Sequence, residues 1–194
     1  MVCRKVTLAP GAEERCRSKR KLRYPGGEGG EWLMMVIEKA VGPDAELLRL
    51  AAVSAFLDDK RYRPAARGLE DPPGHDSIEA HTRWIDMHDY FKCIVDGIIV
   101  GGCIVKRHTD YCELFGIFLH ESCMGKGIGS TLLHEVMKLY PEDTQWSLET
   151  PDYAVRNHRF YERNGFTRAG KSKPDPGSGY SFITYRYKRD SDCH

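Results

Sequence analysis

The stretch 114–133 constrains this chain more than any other. An apolar run, LFGIFL, leads through five residues into Gly125-Lys126-Gly127-Ile128-Gly129, and the loop opens straight into a segment with apolar residues at 128, 132, 133, 136 and 139. That spacing lines one face of a helix, and Pro141 ends it. A strand, a glycine loop and a helix start form an anion site. Glycines let the main chain come close to a ligand, and the orphan N–H groups of a first helical turn, at the positive end of its dipole, suit phosphate oxygens.

Two common phosphate motifs do not fit. A P-loop needs Gly-Lys-Ser or Gly-Lys-Thr, but Lys126 is followed by Gly127. The dinucleotide pattern G-x-G-x-x-G, read from Gly125 or Gly127, meets Ser130 or Leu132 where its third glycine belongs. That fingerprint also sits in a parallel βαβ unit. Here three antiparallel strands are expected before the loop: YFKCIV and IIVGGCIVKRH, joined at the type I′ signal Asp96-Gly97, and then CELFGIFLH.

Around this centre the other elements follow from periodicity and punctuation. WLMMVIEKA reads as a strand. Asp44 is the expected N-cap of a helix carrying Leu47, Leu50, Ala51 and Ser54 on one face, and Ser77 caps a shorter helix with Ile78, Trp84 and Ile85. After the long helix come a strand in TQWSLET, a helix in AVRNHRFYERNG closed by Gly165, a strand in FTRAGK, and a last strand in the alternation of residues 180–187. The expected fold is α/β, a mixed and mostly antiparallel central sheet flanked by helices, in the order β-α-α-β-β-β-α-β-α-β-β.

A chain of 194 residues suits one core. Residues 31–190 are expected to form it. Residues 1–30 hold eight Lys/Arg against three Glu, lack apolar periodicity and end in YPGGEGG, so they read as a basic, flexible extension. The remainder holds 21 Lys/Arg against 25 Asp/Glu, and nucleic acid is not the expected partner. No apolar run approaches the roughly 18 residues of a membrane span, and the first residues lack the apolar region of a signal peptide. The seven cysteines are odd in number with no C-x-x-C pair, and no histidines show H-E-x-x-H spacing, so a reduced, cytoplasmic protein without a metal is expected.

The loop resembles the signature of the GNAT superfamily of N-acetyltransferases: an apolar residue, four positions, Arg or Gln, two positions, then Gly-x-Gly or Gly-x-Ala. Here these are Leu119, Met124, Gly125, Lys126, Gly127, Ile128 and Gly129. A second family element, ending in Gly-Phe after Tyr and Glu or Lys, is met by Phe160-Tyr161-Glu162-Arg163-Asn164-Gly165-Phe166. The two lie in family order, and the resemblance covers about residues 32–188.

The resemblance implies acetyl-coenzyme A as cosubstrate, bound between two central strands that part at a bulge in the strand ending at Leu119. Main-chain N–H groups of Gly125, Lys126, Gly127, Gly129 and Ser130, with Ile128 inside the loop, would hold the pyrophosphate. Phe118 and Leu119 would pair with the pantetheine through their main chain, and the Leu119 N–H would polarise the thioester carbonyl. Tyr161 looks like the acid that meets the departing thiolate. Glu113, six residues before Leu119, stands where some members carry a catalytic base; alternation puts it on the face of Phe115, Ile117 and Leu119, with His120 and Glu149 as other candidates.

The chain departs from the pattern twice. Met124 occupies the Arg/Gln position, and Ala154 stands where many members have an Asn facing the cofactor, with Asn157 one turn later as its substitute. The expected function is direct transfer of an acetyl group from acetyl-CoA to a primary amine in a ternary complex. A small-molecule amine is the first acceptor class and a protein amine the second, and a homodimer is open. The alternative is a coenzyme A-binding regulatory module of the same fold with weak catalysis, which the two departures would suit.

Overall fold

The computed structural model describes residues 18–23, 32–60, 73–141, 145–175 and 179–189. Among the described residues the strands are β1 (Ser18–Arg23), β2 (Trp32–Lys39), β3 (Asp89–Val95), β4 (Ile98–Arg107), β5 (Cys112–Leu119), β6 (Gln145–Pro151), β7 (Thr167–Lys171) and β8 (Phe182–Lys188). Four helices accompany them: α1 (Ala45–Lys60), α2 (Ile78–Met87), α3 (Ile128–Lys138) and α4 (Val155–Arg163). One sheet runs in the order β1-β2-β3-β4-β5-β6-β8-β7, antiparallel everywhere except between β5 and β6. Parallel neighbours need a crossover, and the glycine loop with α3 supplies it. The expected fold class stands.

The turn at Asp96-Gly97 has φ of 48° and 86°, as a type I′ hairpin requires. Met34 N–H donates to the Asp96 carboxylate (3.0 Å), which ties this turn to β2. On one face of the sheet Leu132, Leu133 and Val136 of α3 pack with Val105, Leu114, Trp146 and Leu148. On the other, Leu48 of α1 packs with Tyr90 and Ile104, joined by Trp84 of α2 and Phe118. Each such buried Leu, Val or Ile contributes about 2 kcal/mol, so the two faces together hold the strands in register. No helix among the described residues is long and apolar enough to cross a membrane.

Two elements differ from the sequence reading. The sheet has one more strand than the expected order, because residues 18–23, inside the stretch read as an extension, form β1 against β2, Ser18 opposite Ile37 and Arg23 opposite Trp32. Its sequence SKRKLR shows no apolar alternation, since main-chain bonds to an open edge and a few polar contacts hold it. Residues 1–17 and 24–31 lie outside the described residues.

The second difference is the face of α1. Asp44 is not its cap: it sits in a single 3-10 turn, accepts from Val41 N–H (2.8 Å) and pairs with Lys92 (2.9 Å). The buried line is Ala45, Leu48, Ala51, Ala52 and Ala55, while Leu47 and Leu50 are 50% and 47% exposed. The helix lies close to β4, where a Cβ on Gly102 would come within 3.1 Å of Leu48 and 2.7 Å of Tyr90. Close approach selects the alanine face over the leucine face.

Glu135 of α3 anchors β1. Its carboxylate, 7% exposed, accepts from Ser18 Oγ (2.6 Å) and pairs with Arg20 (2.8 Å) and Lys138 (2.8 Å). Burial alone would raise this carboxyl, but the hydrogen bonds from Lys138, Ser18 and Arg20 outweigh it and hold it at about 2 against an ordinary 4.5. A depressed folded value stabilises fully above about pH 4.5, and the contribution is lost as pH falls toward 2. Glu135→Gln should therefore cost about 2 kcal/mol at pH 7 and flatten the fall in Tm between pH 5 and pH 2. Thermal melts across that range check this; an unchanged acid limb would show that β1 is not tied down through Glu135.

Candidate active site

The site grows from an irregularity in β5. Leu114 pairs with Val105 and Gly116 with Ile104, so Phe115 is an extra residue in the strand. On the other side β5 pairs with β6 only at Cys112–Trp146 and Glu113–Ser147. Beyond Glu113 the two strands share no ladder, although β5 runs on to Leu119 and β6 to Pro151. The gap between them opens toward the glycine loop.

After Leu119 a short turn at Glu121–Cys123 leads into the loop. Gly125 and Gly127 have φ of 72° and 79°, left-handed values that other residues rarely adopt, and an added Cβ at either would meet nothing within 4 Å. Gly127 is the N-cap of α3, and its carbonyl accepts from Thr131 N–H (3.1 Å). Gly129 serves differently: a Cβ there would lie 3.3 Å from Phe160 and 3.5 Å from Leu119. Two glycines shape the turn, and the third lets α3 approach α4.

The loop, the end of β5, α1 and α4 enclose a cleft of about 520 Å³. Of the residues expected to bind cofactor, Phe118, Leu119, Met124, Gly125, Gly127, Gly129, Ser130 and Asn157 line it, as does Tyr161. Lys126 and Ile128 do not line it. The Ile128 side chain is 1% exposed and belongs to the core, so that residue can reach the cleft only through its main chain. Asn157 donates to Thr150 Oγ1 (3.2 Å) and joins α4 to β6.

Tyr161 is fixed by the end of its helix. Gly165, with φ of 86°, follows the cap residue Asn164; Gly165 N–H bonds to Glu162 and Phe166 N–H to Tyr161, the paired closure of a Schellman motif. The Phe166 ring then packs on Tyr161, 6.0 Å between centroids, with Tyr185 at 5.9 Å. Burial raises the Tyr161 hydroxyl far above its ordinary value, so it keeps its proton at neutral pH.

Glu113 is not in this cleft. The bulge at Phe115 shifts the alternation by one residue, so Leu119 and Ile117 face α3 while Glu113 faces the α1–α2 side with Phe118. Its carboxylate meets His108 Nε2 (2.9 Å) and Lys106 Nζ (3.7 Å) at the last paired position of β5 and β6. Beside it Phe115, 41% exposed, contacts Trp84 and His88, each 5.9 Å between centroids. Of the other base candidates, His120 Nδ1 is within 2.9 Å of Ser122 Oγ, and Glu149 accepts from Thr184 (3.2 Å). Among the described residues no group of three His, Cys, Asp or Glu is arranged to hold a metal.

Sequence reasoning missed the charge on the far wall. Arg156, Arg159 and Arg163 of α4 line the cleft with Phe160 between them. Their spacing of three and four places them on one helix face, a signal present in the sequence but masked by the FYERNGF pattern that overlaps it. Phe56 and Asp59, from the end of α1, also line it and carry no sequence signal.

The family model described as an acetyltransferase (GNAT) domain matches residues 86–168. A search of curated proteins finds no match. Among solved structures, the PaiA N-acetyltransferase from Thermoplasma acidophilum, in complex with coenzyme A, superposes with a TM-score of 0.64 at 20% identity, over 79% of this chain and 98% of that one. RimL, a ribosomal L7/L12 α-N-protein acetyltransferase also in complex with coenzyme A, gives 0.64 at 15%, over 81% and 96%. A GNAT-family acetyltransferase from Bacillus anthracis gives 0.59 at 16%, over 79% and 94%. At these identities the likeness is one of fold.

Gly127→Val should cost roughly 1–2 kcal/mol from the left-handed backbone alone, and it puts a side chain into the open mouth of the loop. Calorimetric titration with acetyl-coenzyme A should show at least a tenfold loss of affinity. Undiminished affinity would move the anion site away from this loop.

Proposed function

We propose that the chain is an N-acetyltransferase of the GNAT type, on the match of an acetyltransferase (GNAT) domain model to residues 86–168 and the fold it shares with acetyltransferases solved with coenzyme A, and that it moves an acetyl group from acetyl-CoA directly to a primary amine. The observation that carries this reading is the unpaired gap between β5 and β6, which leads from the glycine loop past Tyr161. A strand-like pantetheine fits a gap between two strands that have lost their ladder, because exposed main-chain groups of Phe118 and Leu119 can pair with its amides. The pyrophosphate then lies at the N-terminus of α3, against the main-chain N–H groups of Gly125, Lys126, Gly127, Gly129 and Ser130.

In the reaction the amine nitrogen attacks the thioester carbonyl carbon, a C–N bond forms, and the C–S bond breaks. The ammonium must first lose a proton, and Glu113, directly or through water, takes it from the α1–α2 side. The departing thiolate takes a proton from Tyr161, which burial keeps protonated, and the second proton, which the nitrogen sheds as it becomes an amide, restores the tyrosine, directly or through water. One exposed aromatic ring, Phe115, beside one carboxylate suits a compact amine with an apolar body, and favours a small molecule over a polypeptide as acceptor.

Glu113→Gln should lower kcat/KM most near neutral pH, with recovery at higher pH as more amine is neutral without help. A pH profile parallel to wild type would remove Glu113 as base. Tyr161→Phe keeps the ring and removes the hydroxyl. General acids contribute about 10² to 10⁴, but a thiol leaves well even unprotonated, so a loss of roughly tenfold to a hundredfold in single-turnover rate is expected. A rate within twofold of wild type would leave Tyr161 as a packing residue. Free thiol released with acetyl-CoA and a broad amine panel tests the reading as a whole; binding without turnover would favour the regulatory module.

A further inference from the structure

Arg156 is placed against local helix preference. It is the second residue of α4, a helix whose first turn has no acidic residue and no side-chain cap, so its cation faces the positive end of the dipole. Such placements are expected where a ligand compensates them. The guanidinium spans the cleft. Nη1 donates to Asp58 of α1 (2.6 Å), whose side chain is 13% exposed, and Nη2 lies 3.1 Å from Met124 Sδ. Both Arg156 and Met124 line the cleft at the mouth of the glycine loop.

We infer that Arg156 supplies, from the opposite wall, the cationic contact to the coenzyme's pyrophosphate that residue 124 cannot make, and that Asp58 positions it. The inference rests on the acetyl-CoA reading above. Met124 stands where the family signature has Arg or Gln, and its thioether is a weak acceptor that an anionic phosphate oxygen outcompetes for a guanidinium N–H. The planar fork allows both tasks: one edge stays on Asp58 while the other turns to phosphate. The cation reaches the same point in space from a helix more than thirty residues later.

The arrangement predicts dependence of one position on the other. Met124→Arg alone sets a second guanidinium against Arg156 and should not tighten acetyl-CoA binding. Arg156→Ala alone removes the 2.6 Å ion pair from a largely buried Asp58, so the informative variant is Arg156→Ala with Asp58→Asn, which removes the carboxylate charge together with the guanidinium. Calorimetry with acetyl-CoA should show a tenfold to thirtyfold weaker Kd for that double variant, and Met124→Arg added to it should recover most of the loss. Acetyl-pantetheine, which lacks the phosphates, should bind wild type and the double variant alike. Acetyl-CoA affinity within twofold of wild type, an equal loss for both ligands, or no recovery with Met124→Arg would overturn the assignment of Arg156. Failure of the wild-type protein to bind acetyl-CoA would instead overturn the coenzyme reading, and this inference with it.

Discussion

The structure turns on one extra residue. Phe115 is inserted in β5 opposite the step from Ile104 to Val105, and the face that each later residue of β5 presents follows from the change of phase it causes. With an uninterrupted β5, the parallel ladder to β6 could continue past Glu113–Ser147 and close the sheet. The bulge ends it there. The cost is a run of main-chain donors and acceptors on β5 with no strand beside them, and buried groups of that kind are rarely left unmet. A ligand that presents amides along an extended chain meets that need, which is why a gap in a sheet reads as a binding site and not as a defect.

The second support is the end of α4. The family pattern in residues 160–166 has a physical meaning in this chain. A left-handed Gly165 closes the helix and returns Phe166 onto Tyr161, so the tyrosine is held by the same turn that ends its helix. The same helix carries the arginines facing the loop, so packing and charge are set by one element. On the opposite face of the sheet the alanine side of α1 lets that helix lie close to Gly102, which brings Phe56 and Asp58 within reach of the cleft.

Much of this was legible before any coordinates. The glycine loop and the amphipathic α3 announce themselves because φ requirements and a 3.6-residue period leave direct marks on residue type. The Asp96-Gly97 hairpin and the Ser77 cap, which accepts from Ala80 N–H, did so for the same reason. What escaped was set by tertiary contact. β1 is held by an edge and by one carboxylate on α3, and neither marks the sequence of residues 18–23. The leucines of α1 mislead because hydrophobicity favours them while spacing from β4 favours alanine. Glu113 was assigned to the wrong face because alternation was counted through a bulge, and only pairing reveals where the count slips.

The central claim is that coenzyme lies along β5 in the gap that the bulge opens, with its phosphates at the start of α3. Amide hydrogen exchange of the full chain with and without acetyl-CoA tests it most directly. The account predicts protection confined to residues 116–119 and 125–130, with the β3–β4 hairpin unchanged. Exchange in those two segments that does not respond to saturating acetyl-CoA, or protection that appears elsewhere in their place, would contradict it.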